Sequence, residues 1–374
     1  MAIGQGAVEV VVSAAEARFW RGKRVLVSGH TGFKGAWLTL WLRQRGALVT
    51  GIALAPETTP ALFDQLQLTD DIDHRLLDIR DGARLREVIV ACRPDIVFHL
   101  AAQALVRRGY REPVDTWATN VMGTVHILEA LRTLEHRCAA VLVTTDKVYE
   151  NREWEFGYRE TDQLGGHDPY SASKAACEIA VSSWRRSFLG ADHPVRIASA
   201  RAGNVIGGGD WSADRIVPDL MRALSDGKPL SVRNPAATRP WQHVLEPLDG
   251  YMRLAERLYE GAAGSAIEDA FNFGPEPEAE RSVRDLVTAA MAHWPGASWI
   301  DASDPDAPHE AGRLALDIDR SRVRLGWRPR WNFERTIAET VTWYRDCLRA
   351  DNAAIRARTV QCIAAYEAAI AGDE

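Results

Sequence analysis

Two hydrophobic rhythms alternate along roughly the first half of the chain. Short unbroken apolar runs, such as Val25-Leu26-Val27, Ile96-Val97-Phe98 and Val141-Leu142-Val143, have no polar face and predict strands buried on both sides, as in a parallel sheet. Between them apolar residues recur three and four apart, as in Trp37 and Trp41 or Leu85, Val88 and Ile89, which predicts helices with a buried stripe. The order is strand, helix with Gly46 where a C-cap would sit, strand ALVTGIAL, a short strand ending LLDIRD, helix, strand DIVFHLAAQ, a helix over Trp117 to Leu134, and strand AAVLVTTDKVY. After a polar loop from Glu150 to Asp168 come the helix YSASKAACEIAVSSWRRSFL and a sixth strand beyond Pro194. Regular alternation of this kind predicts an α/β fold with a doubly wound parallel sheet.

Past residue 200 the rhythm breaks at Pro218, Pro229, Pro235 and Pro240, which marks a second, smaller mixed α/β domain. AFNFG at 270–274 reads as a strand returning to the first domain. The expected organisation is an extension over 1–19, a dinucleotide-binding domain over 20–199 plus about 241–274, a substrate-binding domain over about 200–240 and 275–350 that includes a helix from Asn332 to Arg349, and a tail over 351–374 forming a solvated Ala-rich helix.

Composition narrows the functional classes. With 374 residues, 46% of them hydrophobic and 26% charged, a large core can form. The net charge of −6 and the absence of any Lys/Arg block argue against nucleic-acid binding. No apolar run reaches the length of a membrane span. Cys92, Cys138, Cys177, Cys347 and Cys362 form no CxxC pair and have no His cluster near them, so neither a metal site nor a disulfide framework is expected, and the default is a reduced cytoplasmic protein.

The stretch VLVSGHTGFKG carries Gly29, Gly32 and Gly35 between the first strand and its helix. Such a turn points backbone N–H groups and the positive end of the helix dipole at an anion, and missing Cβ atoms let a pyrophosphate approach. About twenty residues on, where an acid usually binds the adenosine ribose, stand Leu54, Ala55 and Pro56, and the nearest acid is Glu57. No Arg is there to favour a 2′-phosphate, so this site leaves NAD and NADP open. Asp78, at the third strand end, suits an adenine amino group and a helix N-cap equally well. Ala101 and Ala102 leave room for a ligand at the fourth strand end. Tyr170 and Lys174 lie at i and i+4, on one helix face.

Taken in order, the glycine motif, HLAAQ, Asn120 in NVMGT, the TTDKVY strand end and the Tyr170/Lys174 pair resemble the signature of the extended short-chain dehydrogenase/reductase family, over roughly residues 20–345. The resemblance implies a Rossmann fold and NAD held against Gly29, His30, Thr31, Gly32, Phe33, Gly35, Asp78, Ile79, Leu100, Ala101, Ala102, Gln103, Asn120, Thr144, Tyr170 and Lys174. It implies that Tyr170 is the acid/base for a hydroxyl being oxidised, with Lys174 lowering its pKa and Thr145 holding the reacting oxygen. Bringing a tyrosine from ~10 to near 7 takes roughly 4 kcal/mol, about what one positive charge ~4 Å away supplies at an effective dielectric of about 20.

Thr145-Asp146-Lys147 stands where sugar-nucleotide 4,6-dehydratases commonly have Thr-Asp-Glu, and this likeness implies dehydration rather than simple epimerisation. Once carbon 4 of a hexose is a ketone, the carbon 5 proton is acidic and a protonated carbon 6 hydroxyl can leave. Asp146 would be that acid. Lys147 has two readings, as the carbon 5 base in neutral form or as a charged stabiliser of the enolate, with the base slightly favoured.

SGHTGFKGAWL, TTDKVYENREW, RAGNVIGGGDW and RPWQHV resemble the branch of this family that acts on CDP-glucose more than those acting on GDP-mannose or dTDP-glucose. That implies CDP-glucose as substrate, Asn204 and Arg239 on its diphosphate, and a homo-oligomer, dimer or tetramer, paired through helices around 104–134 and 170–189. Arg215 and Arg233 are either helpers at the diphosphate or surface ion-pair residues. The alternatives are a dehydratase or 4-epimerase for another nucleotide sugar, and a non-catalytic dinucleotide-binding scaffold.

Overall fold

A computed structural model describes residues 18–262, 264–277, 280–294, 298–303 and 313–372. Residues 1–17 of the expected extension lie outside them, and Trp20, just beyond it, is fully buried. Seven strands form one sheet: β1 Arg24–Ser28, β2 Leu48–Ala53, β3 Asp73–Leu76, β4 Ile96–His99, β5 Cys138–Val143, β6 Val195–Ala202 and β7 Ala270–Phe273. Their spatial order is β7-β6-β5-β4-β1-β2-β3, all parallel. The chain winds one way from β1 to β3 and the other way from β4 to β7. The switch between β1 and β4 therefore opens a crevice at their carboxyl ends, where Gly29 and Leu100 follow the strands.

Flanking helices include α1 Phe33–Gln44, α2 Gly82–Cys92, α3 Gly123–Arg132 and α4 Pro169–Ser187. The expected helix over 117–134 is a longer helical path that begins at Pro113, passes through a π turn at Ala118–Met122 and continues as α3. The turn widens where the Asn120 carbonyl accepts from Thr124 Oγ1 at 2.7 Å and Cys177 Sγ at 3.1 Å, side-chain donors that stand in for regular helix bonding. Beyond β6 come α5 Ile216–Ser225 and, among the described residues, three two-stranded sheets. These pair Val205–Ile206 with Gln242–His243, Thr238–Pro240 with Glu280–Ser282, and Leu230–Val232 with Trp299–Asp301.

The C-terminal segment corrects the reading of it as a solvated tail. After α6 Leu245–Glu260 and α7 Phe333–Cys347, helix α8 Asn352–Ala371 buries Ile355, Cys362, Ile363, Tyr366 and Ile370 and packs against α1. Tyr366 donates to Glu246 Oε2 at 2.6 Å, and Trp41 donates to Glu367 Oε1 at 2.7 Å. Its many alanines blur the apolar stripe in the sequence, and the larger residues among them carry the burial.

Three histidines are held neutral. Burial pushes His30 down to about 4, and His99 and His243 down to about 3. In the unfolded chain each would titrate near 6.5, so the folded state binds fewer protons below that pH and loses stability as acid is added. Burial raises Glu246 to about 7, which opposes the trend by one proton. Three groups against one give an expected net loss of about 3 kcal/mol between about pH 7 and about pH 5, to be read from urea midpoints.

Candidate active site

The crevice opens into a cavity of about 1410 Å³ that reaches from the glycine turn to α5 and to Arg233 and Arg239. Its floor depends on absent side chains. Gly29 has φ +78°, and a Cβ there would lie 2.6 Å from the Ala101 backbone nitrogen; a Cβ at Gly35 would lie 2.1 Å from the Gly29 carbonyl oxygen. Helix α1 starts at Gly32 with no side-chain cap and no acid in its first turn, which leaves its N–H groups for an anionic ligand. These features fit a dinucleotide pyrophosphate. Among the residues named from the sequence for cofactor, substrate or catalysis, all line this cavity except His30 and Asn120.

His30 is turned away. Its ring fills the space that a Cβ on Gly51 would need, at 2.5 Å, packs edge-on against Phe63, and bonds through Nε2 to His74 Nδ1 at 2.7 Å. Asn120 acts at one remove. Its Oδ1 accepts from the Gln103 N–H at 2.8 Å, and its Nδ2 donates to Gln103 O at 3.1 Å and Ser173 Oγ at 2.9 Å, so it shapes the loop after β4. Asp78 is not a helix cap; that place belongs to Asp81, whose carboxylate accepts from the Arg84 N–H. Asp78 instead pairs with Arg80 at 2.6 Å on the cavity wall.

The reactive side chains meet where β5 ends. Thr145 caps a tight turn over Asp146–Val148 and donates through Oγ1 to Asp146 Oδ1 at 2.9 Å. Asp146 is only 1% exposed, and its Oδ2 has no partner among the described residues. That oxygen faces Gly203, where a Cβ would come within 3.0 Å of it. A bare, buried carboxyl oxygen is costly unless a ligand group meets it. Lys147 Nζ stands 3.6 Å from Asp146 Oδ1, with its side chain about one-third exposed.

Tyr170 sits in the first turn of α4, where the N-cap Asp168 holds the N–H groups of Tyr170 and Ser171. Burial pushes its phenol up to about 12, and the strongest opposing effects come from a bond with Thr145 and then the charge of Arg215. Lys174 Nζ donates to the Val143 carbonyl at 3.1 Å, and burial lowers its pKa. In the ligand-free protein the charge of Arg215 is the leading cationic effect on the phenol.

Arg215 settles between its two expected roles, lining the cavity while donating to Asp210, a buried carboxylate, at 3.0 Å. Arg233 pairs with Asp214 at 3.3 Å, and Arg107 reaches the same oxygen at 3.5 Å. Sequence reasoning missed Asp210, Arg107 and above all Lys34. Lys34 lines the cavity among Arg215, Asp146, Lys174 and Asp210, and burial, then the charge of Arg215, pushes it down to about 7. A lysine in a helix's first turn carries no local signal that it points inward. Together these cations can neutralise a diphosphate in a chain whose net charge is negative.

The family model described as GDP-mannose 4,6 dehydratase matches residues 26–340. The chain belongs to this family. As a nucleotide-sugar 4,6-dehydratase it is also an extended short-chain dehydrogenase/reductase, and the doubly wound sheet is the fold expected of one. The CDP-glucose 4,6-dehydratase of Salmonella typhimurium is 46% identical over 342 residues, 90% of this chain and 94% of that protein. Among solved structures, the UDP-glucose 4-epimerase of Thermus thermophilus in complex with NAD aligns with a TM-score of 0.74 at 24% identity, covering 87% of this chain and 99% of that one. DesIV, a dTDP-glucose 4,6-dehydratase of Streptomyces venezuelae with NAD bound, aligns with a TM-score of 0.72, also at 24% identity, covering 87% and 97%. At this identity both likenesses speak for the dehydratase's fold alone.

Proposed function

We propose that this dehydratase converts CDP-glucose to CDP-4-keto-6-deoxyglucose and water, with NAD as its cofactor. The observation that carries the reading is the bare Oδ2 of Asp146, an acid with nothing to do in a simple dehydrogenase, placed in one cavity with Tyr170 and Thr145. The Salmonella relative supports the choice of CDP-glucose. Gly29, Gly32 and Gly35 would hold the pyrophosphate, and Lys174 the nicotinamide ribose. Bound there, NAD would supply a hydride acceptor for carbon 4 and the same hydride for carbon 6.

The side chains account for the protons. The Tyr170 phenolate takes the proton of the carbon 4 hydroxyl while Thr145 holds that oxygen. Exclusion of water by the substrate favours a proton shift from Lys147 to Asp146 across their contact, giving a neutral amine beside a neutral acid. Lys147 then takes the carbon 5 proton, and Asp146 protonates the carbon 6 hydroxyl, which leaves as water. Lys147 returns its proton to carbon 5 as carbon 6 is reduced. Asp146 ends ionised and Tyr170 protonated, so a proton returning from one to the other resets the site.

Incubation with NAD and, separately, CDP-, dTDP-, UDP- and GDP-hexoses tests the reading. The expected product has lost one water and gained a ketone, with CDP-glucose turned over fastest; a hexose returned with its 6-hydroxyl intact would make the enzyme an epimerase. Val114, Trp117 and Met122 on the helical path before α3, and Ile179 on α4, are exposed apolar side chains, which supports a homo-oligomer, dimer or tetramer, paired through these helices. A molecular mass from light scattering equal to one chain would overturn that. The five free cysteines, four of them buried, suit a reducing cytoplasm.

A further inference from the structure

Beyond Val143 the β5–β6 pairing ends, and the turn carrying Thr145, Asp146 and Lys147 leaves the sheet; at its exit Tyr149 bridges to Leu164, and the Gly165 N–H donates to Val148 O at 2.8 Å. A buried ion pair outside the reacting centre ties both ends of it as well. Glu178 on α4 and Arg201 on β6 are 3% and 4% exposed and meet at 2.9 Å. Glu178 Oε1 accepts from Thr144 Oγ1 at 2.5 Å, immediately before the turn. Arg201 Nη1 donates to the Tyr149 hydroxyl at 2.8 Å, immediately after it, and lies over the Tyr149 ring. Ser199 Oγ donates to Glu178 Oε2 at 2.6 Å, and the Tyr149 hydroxyl donates onward to Asn272 Oδ1 at 2.7 Å.

Both ends of the turn are therefore tied to one ion pair, and one member of that pair lies a single helical turn beyond Lys174. Oxidation at carbon 4 is assigned to the α4 side chains with Thr145, and elimination across carbons 5 and 6 to Asp146 and Lys147 on the turn. A free carboxylate and guanidinium at this depth would be costly, and here each meets the other and groups that flank the reacting residues.

We propose that Glu178 and Arg201 are positioning residues that keep the elimination residues Asp146 and Lys147 in register with the oxidising pair Tyr170 and Lys174. Neither touches the substrate or the cofactor. Their loss slows elimination more than oxidation, because Tyr170 and Lys174 keep their own supports in Asp168 and the Val143 carbonyl and only Thr145 among the oxidising groups sits on the turn, whereas both elimination residues do. This inference rests on the dehydratase reading above.

The test uses the full chain with NAD and CDP-glucose. Tyr149→Phe removes the bonds to Arg201 and Asn272 and leaves the ion pair in place, with its fold checked by circular dichroism; the double variant Glu178→Gln with Arg201→Met removes both charges together. The expected result is a fall in kcat of about tenfold or more with KM within about twofold, accompanied by reduced nicotinamide accumulating during turnover, seen in its near-ultraviolet absorbance. A folded Tyr149→Phe enzyme with unchanged kcat, or one slowed with no accumulation of reduced cofactor, overturns the proposal, since a merely structural tether would slow both halves alike. If the wild-type enzyme itself fails to release water from CDP-glucose, the dehydratase reading has failed instead.

Discussion

Asp146→Asn is expected to lower kcat by about 10²- to 10⁴-fold while leaving oxidation of carbon 4 intact. Asparagine has nearly the same shape and can still accept the Thr145 hydroxyl bond, but it has no acidic proton for the departing carbon 6 hydroxyl. The reaction should stop between its halves, with a hydride on the cofactor and a ketone on the sugar. Rapid mixing with CDP-glucose should show stoichiometric reduced nicotinamide that decays slowly, and a quenched sample should contain a 4-keto sugar that still has its 6-hydroxyl. Full activity in this variant would remove the acid from its role and with it the main support for dehydration.

Tyr170→Phe should cost a similar factor with the opposite signature, since no reduced cofactor forms when the first proton cannot leave. The protonation state of this phenol also predicts a pH profile. Burial raises it to about 12 in the ligand-free protein, so the ionised base becomes more abundant as pH rises, and kcat/KM should climb on the acid side of its optimum. Thr145 and Arg215 pull the value down, and a bound nicotinamide cation would pull it further. Arg215→Met should therefore move that limb upward by about one pH unit. An unmoved limb would mean that the arginine serves the substrate alone.

Much of this site was legible because its signals are local. Three glycines between a strand and a helix specify a close backbone approach, and Tyr170 and Lys174 share a face through helical spacing alone. The substrate-side residues Asn204, Arg233 and Arg239 rested on likeness to a family, and they do reach the cavity. The misreadings share a cause. His30 lies inside the glycine motif, yet His74 and Phe63, from other elements, decide where its ring goes. Lys34 reads as an ordinary lysine until α1 is set against Arg215 and Asp210.

By itself the sequence determined the order of strands and helices, the doubly wound sheet, the glycine cradle and the Tyr170/Lys174 pair, because each follows from hydrophobic period or from spacing within a turn. Only the tertiary structure decided that Asp146 keeps an oxygen unpaired among the described residues, that Glu178 and Arg201 grip both ends of its turn, and that α8 belongs to the core. Those outcomes depend on burial and on contacts between elements far apart in the chain. Burial sets the cost of a charge or a polar atom, and no run of neighbouring residues encodes it.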